Sequence, residues 1–198
     1  PRDAQGYVRW RAENVPAFLF QKIAPLPENI PWNPETAVQE AEKILAGEFK
    51  YFEQTYYKIG FPPDWVLDPS TQTRLDPHKH WTQISLFGAC DIKYVWEASR
   101  FQFVYTLARA YAHRPDERFA EAFWFLMEDW AKNNAPNTGP NWMDGQEQAL
   151  RLMAWCFGLM AFGHSPAATP GRIAQLTVMI AAHAKRIHQN IDFAISTR

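Results

Sequence analysis

Hydrophobic and polar positions follow a helical period over most of the chain after Cys90. Apolar residues recur at spacings of three and four, which predicts amphipathic helices. The predicted helices occupy residues 91–113, 116–133, 143–162 and 170–195. The third is apolar on nearly every side, so we expect it to be buried. Short connections between such helices favour antiparallel neighbours.

The first ninety residues have an irregular pattern that is rich in proline. Two stretches are punctuated by Pro25, Pro27, Pro31 and Pro34 and by Pro62, Pro63, Pro69 and Pro77. One helix is predicted near residues 34–46, with Asn33 as its N-cap and Pro34 in its first position. The aromatic segment at 49–59 favours a short strand, and an ordered loop is expected at 60–80.

Together these patterns predict a mainly all-α fold in a single domain of residues 1–198. We expect an irregular lead-in over residues 1–90 and stacked antiparallel helical hairpins over residues 91–195. Such hairpins suit a partial α/α toroid, although the same periodicity would equally fit a helical bundle or a helical repeat. A partial toroid predicts an apolar edge where a further hairpin would pack.

The composition narrows the classes of partner. Hydrophobic residues make up 47% of the chain and charged residues 21%, so it can bury a sizeable core. The formal net charge of −1 gives no overall field for a polyanion, and no nucleic-acid partner is expected. An anionic ligand would need a local cluster of basic side chains. No apolar run has the length of a membrane span.

Two residue types change this picture further. Aromatic residues make up 15% of the chain; most should fill the core, and others would suit a sugar platform, because an indole ring packs on the C–H face of a pyranose. The two cysteines, Cys90 and Cys156, lie in apolar surroundings, which favours buried free thiols over a single disulfide.

Three segments carry residues suited to binding, at 64–81, 91–102 and 141–151. In the second segment, Arg100 lies three residues after Glu97 and four after Trp96, so these side chains share a helical face.

In the third segment, Glu147 and Arg151 are four residues apart and also share a face. Burial of an unpaired charge is costly, so the two helices should pair their charges. We predict a Glu97–Arg151 or an Arg100–Glu147 contact. Two interpretations of this ion-pair network remain open. It would serve the structure alone, or part of it would also face a cavity and bind the sugar chain.

The candidate substrate-binding residues are Asn141, Trp142, Trp96, Arg100, Arg151, Trp65, His80 and Trp81, with Glu97 and Glu147 as structural ion-pair partners. Asn141 and Trp142 are the best contact candidates, although Asn141 would equally serve as an N-cap. Trp65 and Trp81 would either form the base of a sugar-binding groove or hold their loop in place by packing. His78 and His80 would suit an anion but do not make a metal site, so we expect no metal.

Two of these segments resemble a known family. Asp-Ile-Lys-x-x-Trp-Glu-x-x-Arg-Phe-Gln at 91–102 precedes Asn-Trp-x-x-x-x-Glu-x-x-x-Arg at 141–151. Together they resemble the N-terminal domain of heparinase II/III-like proteins, and the loop at 64–81 resembles the preceding stretch of that family. The resemblance covers roughly residues 35–198. It implies an α/α toroid followed by an antiparallel β-sandwich domain, in a secreted or periplasmic protein.

The resemblance also implies eliminative cleavage of uronic-acid polysaccharides, such as heparan sulfate or alginate-like chains. In that family a catalytic Asn-His box follows the helix that matches residues 170–195, and a Tyr and a further His come later. This chain stops at Arg198, where the box would begin. We therefore expect no catalytic residue within it and no activity from it alone. The expected partners are an acidic polysaccharide and the missing C-terminal part of the protein, without a cofactor.

Two other functions remain open from the residues. The chain would serve as a non-catalytic carbohydrate-binding or scaffold fragment. It would also fit a glycoside hydrolase on a related toroid, with Asp64, Asp68 and Asp76 as candidate carboxylates, a case that the carboxylate spacing decides.

Overall fold

The computed structural model describes residues 3–14, 33–85, 88 and 90–196. Across these residues the chain is mainly helical, with two small antiparallel hairpins, so the predicted mainly all-α fold class is confirmed. The prolines of the lead-in at Pro25, Pro27 and Pro31 lie outside the described residues.

Helix α1 (Ala4–Asn14) lies in the lead-in, where the sequence predicted irregular structure. The carboxylate of Asp3 accepts the backbone N–H of Gly6 at 2.6 Å and so caps the helix. Tyr7 and Val8 pack against the core. Because contact with a helix distant in sequence stabilises α1, the local pattern alone did not predict it.

Helix α2 (Pro34–Leu45) begins at the predicted residue. The side chain of Asn33 accepts the backbone N–H of Glu35 at 3.0 Å, as an N-cap does. Gly47 follows with φ +82°, in the left-handed region that favours glycine after a helix. The chain therefore turns directly into a strand.

Two short hairpins fill the region where a single strand and a loop were predicted. Strand β1 (Glu48–Tyr51) pairs antiparallel with β2 (Thr55–Lys58), and Phe49 and Tyr51 turn into the core. Strands β3 (Leu67–Asp68) and β4 (Thr73–Arg74) form the second hairpin. Each hairpin thus anchors the lead-in to the helices.

The helical part contains α3 (Ile92–Ser99), α4 (Phe103–His113), α5 (Glu117–Asn133), α6 (Gly145–Phe162), α7 (Pro170–Gln189) and α8 (Ile191–Ser196). The segment predicted as one helix over 91–113 is divided, because Phe101 has φ +59° and buries its ring. The last predicted helix is divided at Asn190.

One hydrophobic core joins these elements, from Val38 of α2 to Met179 of α7. Helix α4 contacts α2, α5 and α6, and α6 contacts α7. The core is dominated by fully buried aromatic side chains, among them Trp124, Trp130, Trp142 and Trp155. The lead-in and the helical hairpins therefore share their interior.

Cys90 and Cys156 are free and half-buried, whereas we expected full burial. In the part of the chain that the structure describes, no helix is both long enough and apolar enough to cross a membrane.

Candidate functional site

The three segments singled out in the sequence meet at one place. The indole N–H of Trp96 in α3 donates to the carbonyl of Pro140 at 2.9 Å. The side-chain amide of Asn141 donates to the carbonyl of Trp65 at 3.0 Å. Arg100, which follows α3, reaches Glu147 in α6. Side-chain hydrogen bonds thus connect all three segments into one site.

Arg100 and Glu147 form a bidentate ion pair, with Nε–Oε2 at 2.6 Å and Nη2–Oε1 at 2.8 Å. This is one of the two contacts that the spacing predicted. Arg100 also contacts Glu97, whose other oxygen accepts the backbone N–H of Phe52 at 2.9 Å. The hydrogen bonds that Arg100 donates to Glu147 raise the pKa of Arg100, and burial raises the pKa of Glu97.

The start of α6 explains why Glu147 is in place. The carboxylate of Asp144 accepts the backbone N–H groups of Gln146 at 2.7 Å and of Glu147 at 3.1 Å. This N-cap satisfies donors that the first helical turn leaves free. The helix therefore begins at a position that turns Glu147 towards Arg100. Arg151, one turn further along the helix, faces the interior.

Arg151 does not pair with Glu97, the alternative that the spacing allowed. Its guanidinium is fully buried and donates to the carbonyls of Ser99 and Asn141 and to Nε2 of His183, at 2.5, 3.2 and 2.9 Å. It also lies 4.3 Å from the ring centre of Trp130. Burial lowers the pKa of Arg151. The residue therefore joins α3, α6, α7 and the 3-10 helix Pro140–Trp142.

His183 is a member of this site that the sequence analysis did not single out. Its Nδ1 donates to the carbonyl of Met179 at 2.9 Å, which leaves Nε2 to accept from Arg151. Burial, together with the charge of Arg151, lowers the pKa of His183 to about 3. The imidazole is therefore neutral. A signal was present in the sequence, since His183 continues the apolar stripe of Leu176 and Met179.

Several candidates face the interior rather than a groove. Asn141 and Trp142 are 1% exposed, and Trp96 is 7% exposed. Trp65 stacks on Phe101 with ring centres 5.4 Å apart and donates to Asp129 at 2.7 Å, so it pins its loop. These side chains make their hydrogen bonds inside the protein.

His80 and Trp81 lie at the surface beside this interior. Trp81 opens a 3-10 helix (Trp81–Gln83) that the side chain of His80 caps. The backbone N–H of Gly139 donates to the carbonyl of Lys79 at 2.8 Å, and that of Trp81 donates to Asn137 at 3.2 Å. The loop is therefore attached to the segment that leads into Pro140–Trp142.

A cleft lies on the other side of Glu97, between α2, the first hairpin, α3 and α4. Its wall combines carboxylates, phenols and one ammonium with an aromatic floor, and includes Glu40, Lys50, Tyr51, Glu53, Tyr56 and Glu97. Lys50 pairs with Glu40 at 3.3 Å and with Glu53 at 3.5 Å. One ammonium thus faces two carboxylates, which leaves the rim with a net negative charge.

Comparisons of the sequence and of the fold with known proteins both identify heparinases as similar to this chain. A family model described as Heparinase II/III N-terminus matches residues 17–195. Curated proteins give no match. The crystal structure of the heparan sulfate lyase HepC from Pedobacter heparinus is similar, with a TM-score of 0.62 and 18% identity, over 83% of this chain and 23% of that chain.

Two further structures are similar. A mutant of the same HepC gives a TM-score of 0.64 at 18% identity, over 92% of this chain and 26% of that one. A heparinase III gene product with methylated lysines gives a TM-score of 0.64 at 16% identity, over 94% of this chain and 29% of that chain. The chain thus spans about a quarter of the length of these structures. At such identities the likeness shows the fold, and it supports the predicted partial α/α toroid.

Proposed function

Since this chain belongs to the heparinase II/III N-terminal family, we propose that it is the helical substrate-binding part of a polysaccharide lyase that cleaves uronic-acid-containing chains by β-elimination. The substrate class is one of acidic polysaccharides, such as heparan sulfate or an alginate-like chain. One of the structurally similar proteins, HepC, is a heparan sulfate lyase by name, which supports this class.

The observation that carries the proposal is the convergence of the three family-like segments. The Trp96–Pro140, Asn141–Trp65 and Arg100–Glu147 contacts bring them into one site. A merely structural network needs no exposed aromatic or basic groups around it. Here the network stands beside His80 and Trp81, which are accessible from solvent.

We divide the candidate residues by exposure. His80, Trp81 and the partly exposed edge of Arg100, 16% of that side chain, are proposed to contact the sugar. The buried candidates are proposed to hold in place the loops that carry those contacts. They are Trp65, Trp96, Asn141, Trp142 and Arg151, together with Glu97 and Glu147. Preorganised support of this kind keeps a substrate in register.

β-Elimination removes the proton at C5 of a uronate and expels the oxygen at C4. It needs a group that neutralises the carboxylate, and a base and an acid within hydrogen-bond reach. The family resemblance assigns these groups to an Asn-His box and later residues beyond Arg198. We therefore propose that this chain supplies binding subsites, and that the remainder of the protein, with its β-sandwich domain, supplies the chemistry.

The test compares this chain with the full-length gene product on heparosan, heparan sulfate and alginate. Ultraviolet absorbance follows the unsaturated uronyl end that only elimination creates, and a reducing-end assay follows all cleavage. We expect the full-length protein to produce both signals and this chain alone to produce neither. New reducing ends without absorbance would establish a hydrolase, and binding without either signal would establish a non-catalytic module. Elimination by this chain alone would overturn the placement of the catalytic groups.

A further inference from the structure

The guanidinium of Arg186, on the last turns of α7, lies over the ring of Trp81. The distance from its central carbon to the ring centre is 4.6 Å. Both side chains are half-buried, so the pair is accessible from one side. A cation–π contact of this geometry uses the face of the guanidinium and leaves the N–H groups at its edge free.

Among the described residues, no carboxylate lies within ion-pair distance of Arg186. Other arginines on the helices differ: Arg172 binds Glu121 and Glu128, and Arg100 binds Glu147. Partial burial lowers the pKa of Arg186, although it remains protonated at neutral pH. A half-buried, charged guanidinium that has no counter-charge within the described part of the chain is suited to bind an anion from outside.

The surroundings of Arg186 are basic, although the chain as a whole has a net charge of −1. Lys185 and Arg186 lie in residues 181–190, which contain no carboxylate, and residues 77–83 contain His78, Lys79 and His80. The neighbouring Asp76 directs its carboxylate to the backbone N–H of His78 at 2.9 Å. This is the local basic cluster that an anionic ligand requires in a nearly neutral protein.

The support beneath the pair is rigid. His183, one turn before Arg186, is fixed by its hydrogen bonds to Met179 and Arg151. The 3-10 helix that begins at Trp81 contacts the one at Pro140–Trp142. Both halves of the pair are thus attached to the same buried network.

We propose that Trp81 and Arg186 form a subsite for one acidic sugar residue of the bound chain. The free edge of Arg186 binds its carboxylate or sulfate in a bidentate manner, and the open part of the indole packs on a pyranose ring. This rests on the proposed function, which it deepens by naming a specificity-determining residue. Arg186 determines charge selectivity in binding and takes no part in proton transfer.

The test measures binding and turnover by the full-length protein with Arg186→Gln. We expect affinity for heparosan to fall by about 10- to 100-fold, because a bidentate charge-assisted contact is lost. KM should rise with little change in kcat, as for a contact made equally in the ground and transition states. Trp81→Ala should weaken binding by about tenfold.

Matched controls separate position from net charge. Arg109→Gln removes the same charge from an exposed position on α4, and Trp10→Ala removes an exposed indole on α1. Both should change affinity by less than about twofold, in line with the small electrostatic effect of an exposed charge at a distance. Circular dichroism verifies that every variant is folded.

The choice of ligand distinguishes the two anionic groups. Heparosan carries carboxylates alone, dextran sulfate carries sulfates alone, and dextran carries neither. Loss of affinity confined to heparosan identifies a carboxylate subsite, and loss confined to dextran sulfate identifies a sulfate subsite. An Arg186→Gln protein that binds both polymers as the Arg109→Gln protein does would overturn the subsite.

Failure of the subsite and failure of the proposed function differ in their results. If wild-type protein forms unsaturated products and Arg186→Gln has unchanged KM, the subsite is wrong and the lyase stands. If no uronate polymer is cleaved and Arg186→Gln still loses affinity, the subsite stands and the lyase function is wrong.

Discussion

At the scale of single residues, Arg151 and His183 form the central polar contact of the interior. Three neutral acceptors satisfy the buried guanidinium, and one of them is the imidazole of His183. The ring of His183 lies 4.6 Å from that of Trp142 and 4.9 Å from that of Trp155. A proton on Nε2 would place two positive charges in contact and remove an acceptor. The neutral imidazole is therefore part of the folded state.

This arrangement predicts a pH dependence of stability. The pKa of His183 is lowered to about 3 in the folded state, whereas an unfolded histidine titrates near ~6.5. As the pH falls below ~6.5 the unfolded chain takes up the proton first, so the contribution of His183 is complete above that pH and is lost progressively towards about pH 3. Between pH 7 and pH 5 the loss should be about 2 kcal/mol.

The measurement is urea unfolding of the wild type and of His183→Gln at both pH values. The glutamine oxygen still accepts from Arg151, but it does not titrate. We expect His183→Gln to be less stable at pH 7 by about 1 kcal/mol and to lose less stability on acidification. His188→Gln, on an exposed position of the same helix, should keep the wild-type difference. Equal pH dependence in the wild type and His183→Gln would contradict the prediction.

At the scale of elements, the crossing of α5 and α6 depends on Gly158. A methyl group at this position would overlap the ring of Phe123 in α5, which itself stacks on Phe162 at 5.3 Å. Glycine is otherwise unfavourable inside a helix, by about 1 kcal/mol relative to alanine. Its presence in the most apolar helix is therefore explained by close packing.

We predict that Gly158→Ala lowers the free energy of unfolding by about 1–3 kcal/mol, since overpacking outweighs the gain in helix propensity. The control is Gly145→Ala at the start of the same helix, where no neighbouring atom lies within 4 Å of an added methyl group. That variant should be neutral or more stable in urea unfolding. Phe123→Leu gives the added methyl group more room. The double variant Gly158→Ala/Phe123→Leu should therefore show less destabilisation than the sum of the two single variants. A stabilised Gly158→Ala protein would disprove the close approach.

Element boundaries show what the sequence could and could not predict. Asn33 was predicted as a cap because capping depends on residues within one turn, and its side chain accepts the expected backbone N–H group. The division at Phe101 was not predicted, because its positive φ depends on burying the ring between Trp65 and Trp155. Such contacts connect residues far apart in sequence, which periodicity does not encode.

At the scale of the whole molecule, the same limit applies to the candidate site. Helical spacing predicted that the charges of two helices would pair, and the Arg100–Glu147 contact is present. It did not predict that Arg151 would take neutral partners, or that Asn141 and Trp142 would turn inward, since burial depends on how the segments pack together. Arg186 was missed because its relation to Trp81 joins two segments a hundred residues apart.

The shared core predicts that the lead-in and the helical hairpins unfold together. Trp65 stacks on Phe101 and donates to Asp129, and the ring of Phe49 lies 5.2 Å from that of Phe103. Removal of residues 1–90 would expose these aromatic surfaces and break the contacts that divide α3 from α4. We therefore expect far-ultraviolet circular dichroism and tryptophan fluorescence to give coincident urea transitions for the whole chain. A fragment of residues 91–198 should lack near-ultraviolet dichroism, and addition of a fragment of residues 1–90 should restore it. Two separated transitions, or a fragment of residues 91–198 that folds cooperatively by itself, would establish two domains instead of one.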